Sequence, residues 1–142
     1  MKLRNVPTRL ATGAYLLHTG REKWHGDELQ ATGLHGAAAG AYPVLNAMKP
    51  TDFLRLLSVG EMAVGAALLA PVVPPAVAGA ALAGFSGALV TMYLRTEGMH
   101  KPGSVWPTQQ GTVVSKDVWM LGIGLGLVVD GLVEGLRRRR NG

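Results

Sequence analysis

Glu61 is the residue of this chain that most demands a chemical account. It borders an uncharged run, Met62 to Leu94, and follows Asp52 by nine residues, roughly 13 Å along a helix. A carboxylate that deep in apolar surroundings must be protonated, paired or wetted. It can then anchor a neighbouring helix, carry a proton or meet a quinone, or touch a partner subunit. The apolar segment 7–24 offers two partners. At 100° per residue, Arg9, Gly13, Gly20 and Lys23 share one helix face, and Tyr15, His18 and Glu22 share the opposite one. His18 lies nearer the depth of Glu61, whereas Lys23 has the longer stem. An imidazole titrates near neutrality, so His18 suits proton exchange as well as packing. Glu61, His18 and Lys23 therefore form the candidate buried polar, quinone-proximal set.

A second group, Arg9, Asp130 and Glu134, falls near the other end of the apolar segments and is expected to form an ion pair that tethers helices. No Ser-His-Asp order, phosphate loop or carboxylate pair emerges, so no catalytic residue is assigned. His25, His35 and His100 lack ligand spacing, and no metal site is expected. Cysteine is absent, which excludes disulfides, thiolate ligands and a Cys nucleophile. No cofactor motif is present, and quinone is the one cofactor that the Glu61 set could meet.

These side chains have to be positioned by apolar helices. Of the 142 residues, 48 % are hydrophobic, 16 % are charged and 20 are glycine, against a usual charged share of about 25 %. Four spans are expected, at about 7–24, 52–70, 75–94 and 117–136. Pro71, Pro74 and Pro75 break the long uncharged run into the second and third. Ser115 is the expected N-cap of the fourth, with Asp117 complementing its dipole. The segment 25–51 is Ala-rich and reads as an interfacial helix broken at Pro43. The segment 95–116 reads as an irregular loop.

Half of the 14 basic residues lie near the ends of the chain: Lys2, Arg4, Arg9 and Arg137 to Arg140. No aromatics are interleaved with them, which argues against nucleic acid. They read instead as cytosolic flanks of a membrane protein with both termini inside. Small residues four apart suit close helix packing in lipid. These are Gly79, Ala83 and Gly87 in the third span, and Gly122 and Gly126 in the fourth. The expected fold is all-α: an integral membrane four-helix bundle with an interfacial outer segment between its first two spans.

Three short patterns resemble DoxX-like membrane proteins. They are Arg9-x3-Gly13-x6-Gly20-x2-Lys23, Gly60-Glu61-x3-Gly65 and Lys116-Asp117-x4-Gly122. The resemblance implies four membrane helices and a link to membrane-bound redox and oxidative-stress assemblies, some of them quinone-reducing. The expectation that follows is an accessory or structural membrane subunit of such an assembly in a prokaryotic plasma membrane. A quinone-interacting oxidoreductase subunit is the alternative. A small transporter fits less well, since no internal repeat is visible. The expected partners are the lipid bilayer and a homo-oligomer or larger membrane complex.

Overall fold

Proline occupies one of the first two positions of three of the α-helices, where its missing N–H costs nothing. In the computed structural model, which describes residues 2–141, the helices are α1 (Val6–Trp24), α2 (Glu28–Ala41), α3 (Pro50–Leu69), α4 (Pro75–Arg95) and α5 (Thr112–Arg140). Turns of 3-10 helix occupy Leu3–Asn5 and Pro43–Ala47. Among the described residues there is no strand, only an isolated bridge between His100 and Pro107. The chain is all-α.

Two helices, α4 and α5, are long and apolar enough to cross a membrane. The expectation of four apolar spans is thus met by composition at two. Arg9, Arg21, Glu22 and Lys23 set α1 apart from them, and Asp52, Arg55 and Glu61 set α3 apart. The principal contacts pair α1 with α3 and α4 with α5. The two pairs meet where α3 lies against α4.

Glycine sets the spacing inside each pair. A Cβ on Gly13 would lie 2.9 Å from the carbonyl oxygen of Gly65, and one on Gly65 would lie 2.8 Å from that of Gly13. On the other pair, a Cβ on Gly124 would come within 2.7 Å of the Ala83 nitrogen and 2.8 Å of the Gly79 oxygen. Gly131 is closed in the same way by Ala76. The expected contact stripe of the fourth span needs correction here. Gly122 and Gly126 are exposed and a Cβ on either would meet nothing within 4 Å, while Gly87 touches Leu121 only loosely. Gly79 and Ala83 do pack, but their glycine counterpart is Gly124, and Gly131, seven residues on along the same contact face, packs on Ala76.

The segment between α1 and α3 is more than an interfacial strip. Asp27 caps α2 by accepting from the Gln30 amide at 2.8 Å. Ala31, Ala38, Ala39 and Ala41 are buried where α2 meets α3 and α4. Arg95 donates to Ala41 O and Thr96 to Ala37 O, both at 3.3 Å, and Tyr42 donates to Ala88 O at 2.8 Å. The loop 96–111 is tied as well: Tyr93 donates to Val105 O at 2.8 Å, and Thr108 bonds back to Gly98 and Met99. Gly98 and Gly103 turn it with φ of 86° and 68°, which L side chains rarely adopt.

The fifth helix starts earlier than expected. Its N-cap is Gly111, and Ser115 spends its hydroxyl on Thr112 O within the first turn. Asp117 therefore sits inside the helix, facing the bundle, and not at its mouth.

The glycine geometry gives opposite signs for one substitution. Gly122→Ala gains helix propensity of up to about 1 kcal/mol with nothing to strike. Gly124→Ala must push α4 and α5 apart, an overpacking cost of about 1–3 kcal/mol. Thermal melting in detergent should show the first variant at or above wild type and the second below it.

Candidate functional site, a buried charge cluster under α2

Two apolar cores stack along the bundle. One holds Leu16, Val64, Leu68, Leu82, Met120 and Leu127. The other, beneath α2, holds Ala38, Phe53, Met92, Tyr93 and Val114. Glu61 falls between the two on α3, Asp117 between them on α5, and Ser86 between them on α4. The polar groups form a thin layer, whose cations are Lys23 of α1 and Lys116 of α5.

Lys23 Nζ donates to both Glu61 oxygens, at 3.1 and 2.9 Å, and Thr19 Oγ1 donates to Glu61 Oε2 at 3.0 Å. Glu61 is 1 % exposed and Lys23 14 %. Of the two partners weighed for Glu61, the structure brings Lys23 to it and turns His18 away. His18 lies on the exposed face of α1, 3.4 Å from Glu22. The helix phase explains this: the face carrying Gly13 and Gly20 must press on α3, so residues 15, 18 and 22 point outward.

A second pair adjoins the first. Lys116 Nζ lies 3.2 Å from Asp117 Oδ2, and Asp117 is 1 % exposed. Lys23, Glu61, Lys116 and Asp117 all line one cavity of about 30 Å³. Lys116 and Asp117 were read as the start of a helix rather than as site members. The signal that could have found them was an acid-base pair one turn inside an apolar helix. Asp117 Oδ1 and Ser86 Oγ are buried without a hydrogen-bond partner among the described residues. No group of three His, Cys, Asp or Glu side chains suited to a metal ion occurs among them either.

Arg9 requires a larger correction. It is fully buried and meets neither Asp130 nor Glu134. Its guanidinium donates to four backbone carbonyls, Leu68 at 2.6 Å, Ala70 at 2.9 Å, and Ala67 and Val73 at 3.0 Å. These are the last carbonyls of α3 and of the turn beyond it, which a helix leaves without partners. Arg9 therefore closes the negative end of the α3 dipole. Its planar fork of five donors fits several acceptors at once.

Asp130 and Glu134 do tether helices, with other cations. Arg4 reaches Asp130 at 2.7 Å and Asn5 donates to it at 2.9 Å. Glu134 pairs with Lys2 and with Arg138. The hydrogen bond to Asp130 holds the Arg4 guanidinium above its ordinary pKa. These contacts bring both ends of the chain to one end of the bundle.

No family model matches the chain, and no curated protein or solved structure is significantly similar to it. The geometry itself yields an expected outcome. Removing one member of a buried pair leaves the other uncompensated, at about 3–5 kcal/mol. Glu61→Ala should therefore melt well below wild type in detergent, and Glu61→Gln above Glu61→Ala, because an amide still bonds to Thr19 and Lys23. His18→Ala should stay within about 0.5 kcal/mol of wild type. Equal melting temperatures for wild type and both Glu61 variants would reject the anchoring role.

Proposed function

We propose that the chain is an integral membrane four-helix bundle of α1, α3, α4 and α5, with α2 at the outer interface. Its role is that of an accessory or structural subunit of a redox or stress-response assembly, similar to DoxX-like proteins. The observation that carries this reading is convergence. Arg9, Gly13, Gly20 and Lys23 of the first pattern, Glu61 and Gly65 of the second, and Lys116 and Asp117 of the third are scattered over the chain. Lys23, Glu61, Lys116 and Asp117 line one cavity, and the other four lie in the α1–α3 contact. Gly60 of the second pattern, which faces Phe85 of α4, and Gly122 of the third stay outside this arrangement.

Bilayer residence follows from where the polar groups are spent. Arg9, Lys23 and Glu61 are consumed by partners inside the bundle, and the exposed charges of α1 and α3, Arg21, Glu22, Asp52 and Arg55, lie toward the helix ends nearest α2. The outward positions Leu10, Leu56, Val59, Val77, Leu125, Val129 and Leu132 are exposed and apolar. Water has no favourable use for such a surface, and hydrocarbon does. Trp24, Trp106 and Trp119 are exposed toward the α2 end, where indoles suit a membrane boundary. Arg137 to Arg140 extend α5 at the opposite end, the cytosolic one in this reading. An anchoring role for Glu61 and an outward-facing His18 favour an accessory part over quinone chemistry at His18, Glu61 and Lys23.

Carbonate extraction should leave the chain in the membrane fraction, and release without detergent would end the proposal. Cysteine placed by Ser104→Cys should react with an impermeant maleimide on intact cells, and Asn141→Cys only after permeabilisation. A mild-detergent pull-down should recover a larger redox enzyme whose activity survives Glu61→Gln but is lost without the chain. Purification of the chain alone would remove the accessory role.

A further inference from the structure

The two ion pairs of the buried layer are not equally provided for. Glu61 has donors on both oxygens. Asp117 has Lys116 on Oδ2 and no donor on Oδ1 among the described residues, although the side chain is 99 % withdrawn from solvent and lines the 30 Å³ cavity. Lys116 is also short of partners. An ammonium carries three donors, and beyond Asp117 its sole contact among the described residues is the Tyr15 ring, 5.9 Å away. An unfilled acceptor and an unfilled donor thus stand side by side at one small cavity.

The cavity adjoins an open groove. Lys23, Leu34, Val114 and Lys116 line both it and a 770 Å³ groove bounded by α1, α2, α5 and the loop 96–111. Gly33 and Gly36 of α2 line that groove, and a Cβ on either would meet nothing within 4 Å. Glycine weakens a helix interior, and no close packing accounts for it at these two positions. Their effect is to keep the groove wide.

The chemistry of an occupant follows from three requirements. It must donate one hydrogen bond to Asp117 Oδ1 and accept one from Lys116 Nζ. It must add no net charge, because the two cations and two carboxylates of the layer already cancel, and an unpaired charge in this setting is costly. It must tolerate apolar walls, since Phe53, Leu57, Leu89 and Met92 form the rest of the cavity. A hydroxyl on a hydrocarbon body satisfies all three. We propose that the cavity binds the hydroxyl group of an uncharged, largely apolar alcohol, which enters along the α2 groove and bridges Asp117 Oδ1 and Lys116 Nζ. This goes beyond the accessory role and does not depend on it.

The full chain, purified in detergent, would be titrated with 6,6,6-trifluoro-1-hexanol and followed by fluorine NMR. The control is the methyl ether of the same molecule, which keeps the apolar body and the acceptor but has no donor. The alcohol should give a saturable bound resonance, and the ether should bind at least tenfold more weakly although it is the more apolar of the two. Asp117→Asn should also lose tenfold or more, because its carbonyl will face Lys116 and turn an N–H into the cavity. Leu34→Trp, which narrows the neck and touches no charged group, should slow or abolish binding. Equal saturable binding of alcohol and ether would overturn the proposal, as would no saturable binding by the folded wild type, which would mean that water alone meets Asp117. The alcohol–ether comparison needs no variant, so the test stands even if a substituted chain fails to fold.

Discussion

Taking a charge out of water and leaving it unpaired costs several kcal/mol, and α1 carries two cations into the bundle. Arg9 and Lys23 lie fourteen residues apart, roughly 21 Å along the helix. Each must find acceptors, and each finds them on α3. Arg9 takes four carbonyls at the C-terminal end of α3 and in the turn beyond it, and Lys23 takes Glu61, about two helical turns earlier. Hydrogen bonds to charged groups contribute roughly 1.5–3 kcal/mol each. Two such clamps fix the antiparallel register of α1 on α3. Between them only glycine fits: Gly13 meets Gly65, and Gly20 lies against Ser58, whose hydroxyl donates to its carbonyl at 2.6 Å.

The second helix pair has no comparable clamp in its middle and is built by close approach alone. Gly79, Ala83 and Gly124 bring the backbones of α4 and α5 together, which suits helices that have hydrocarbon or other helices around them. The two pairs are joined by the apolar cores and by the polar layer between those cores. Lys116 and Asp117 bring α5 to that layer beside the Lys23–Glu61 pair. The layer thus relates α1, α3 and α5, whereas each glycine contact relates two helices only.

Much of this was legible in the sequence because it depends on local rules. Pro75 at a helix start and the helix break near residues 71–74 are where proline chemistry puts them. The division of α1 into a face with Arg9, Gly13, Gly20 and Lys23 and a face with Tyr15, His18 and Glu22 follows from helix period alone. What was not legible depends on rotation and reach. Gly122 and Gly126 match a packing pattern as well as Gly124 and Gly131 do, and only the orientation of α5 against α4 selects between them. The partners of Arg9 were sought among carboxylates, but its acceptors are main-chain carbonyls, which no sequence pattern marks. Asp117 was assigned to a helix mouth because Ser115 looked like a cap. Helix formation from Thr112 moved it one turn inward and changed its role from dipole partner to buried ion.

The two ends of the bundle resolve their polar groups in different ways, and that difference orients the molecule. At the terminal end both carboxylates among the described residues have more than one donor: Asp130 has Arg4 and Asn5, and Glu134 has Lys2 and Arg138. The free carbonyls of α3 there are closed by Arg9. Under α2 the arrangement is looser. Side chains of Tyr42, Arg95 and Thr96 tie this end to main-chain carbonyls, α2 carries glycines that pack on nothing, and one buried carboxylate oxygen lacks a donor. An end whose buried and half-buried carboxylates are paired holds the bundle together. An end with unfilled donors and acceptors beside an open groove is where binding energy remains to be gained, so structural and binding roles separate along the bundle axis.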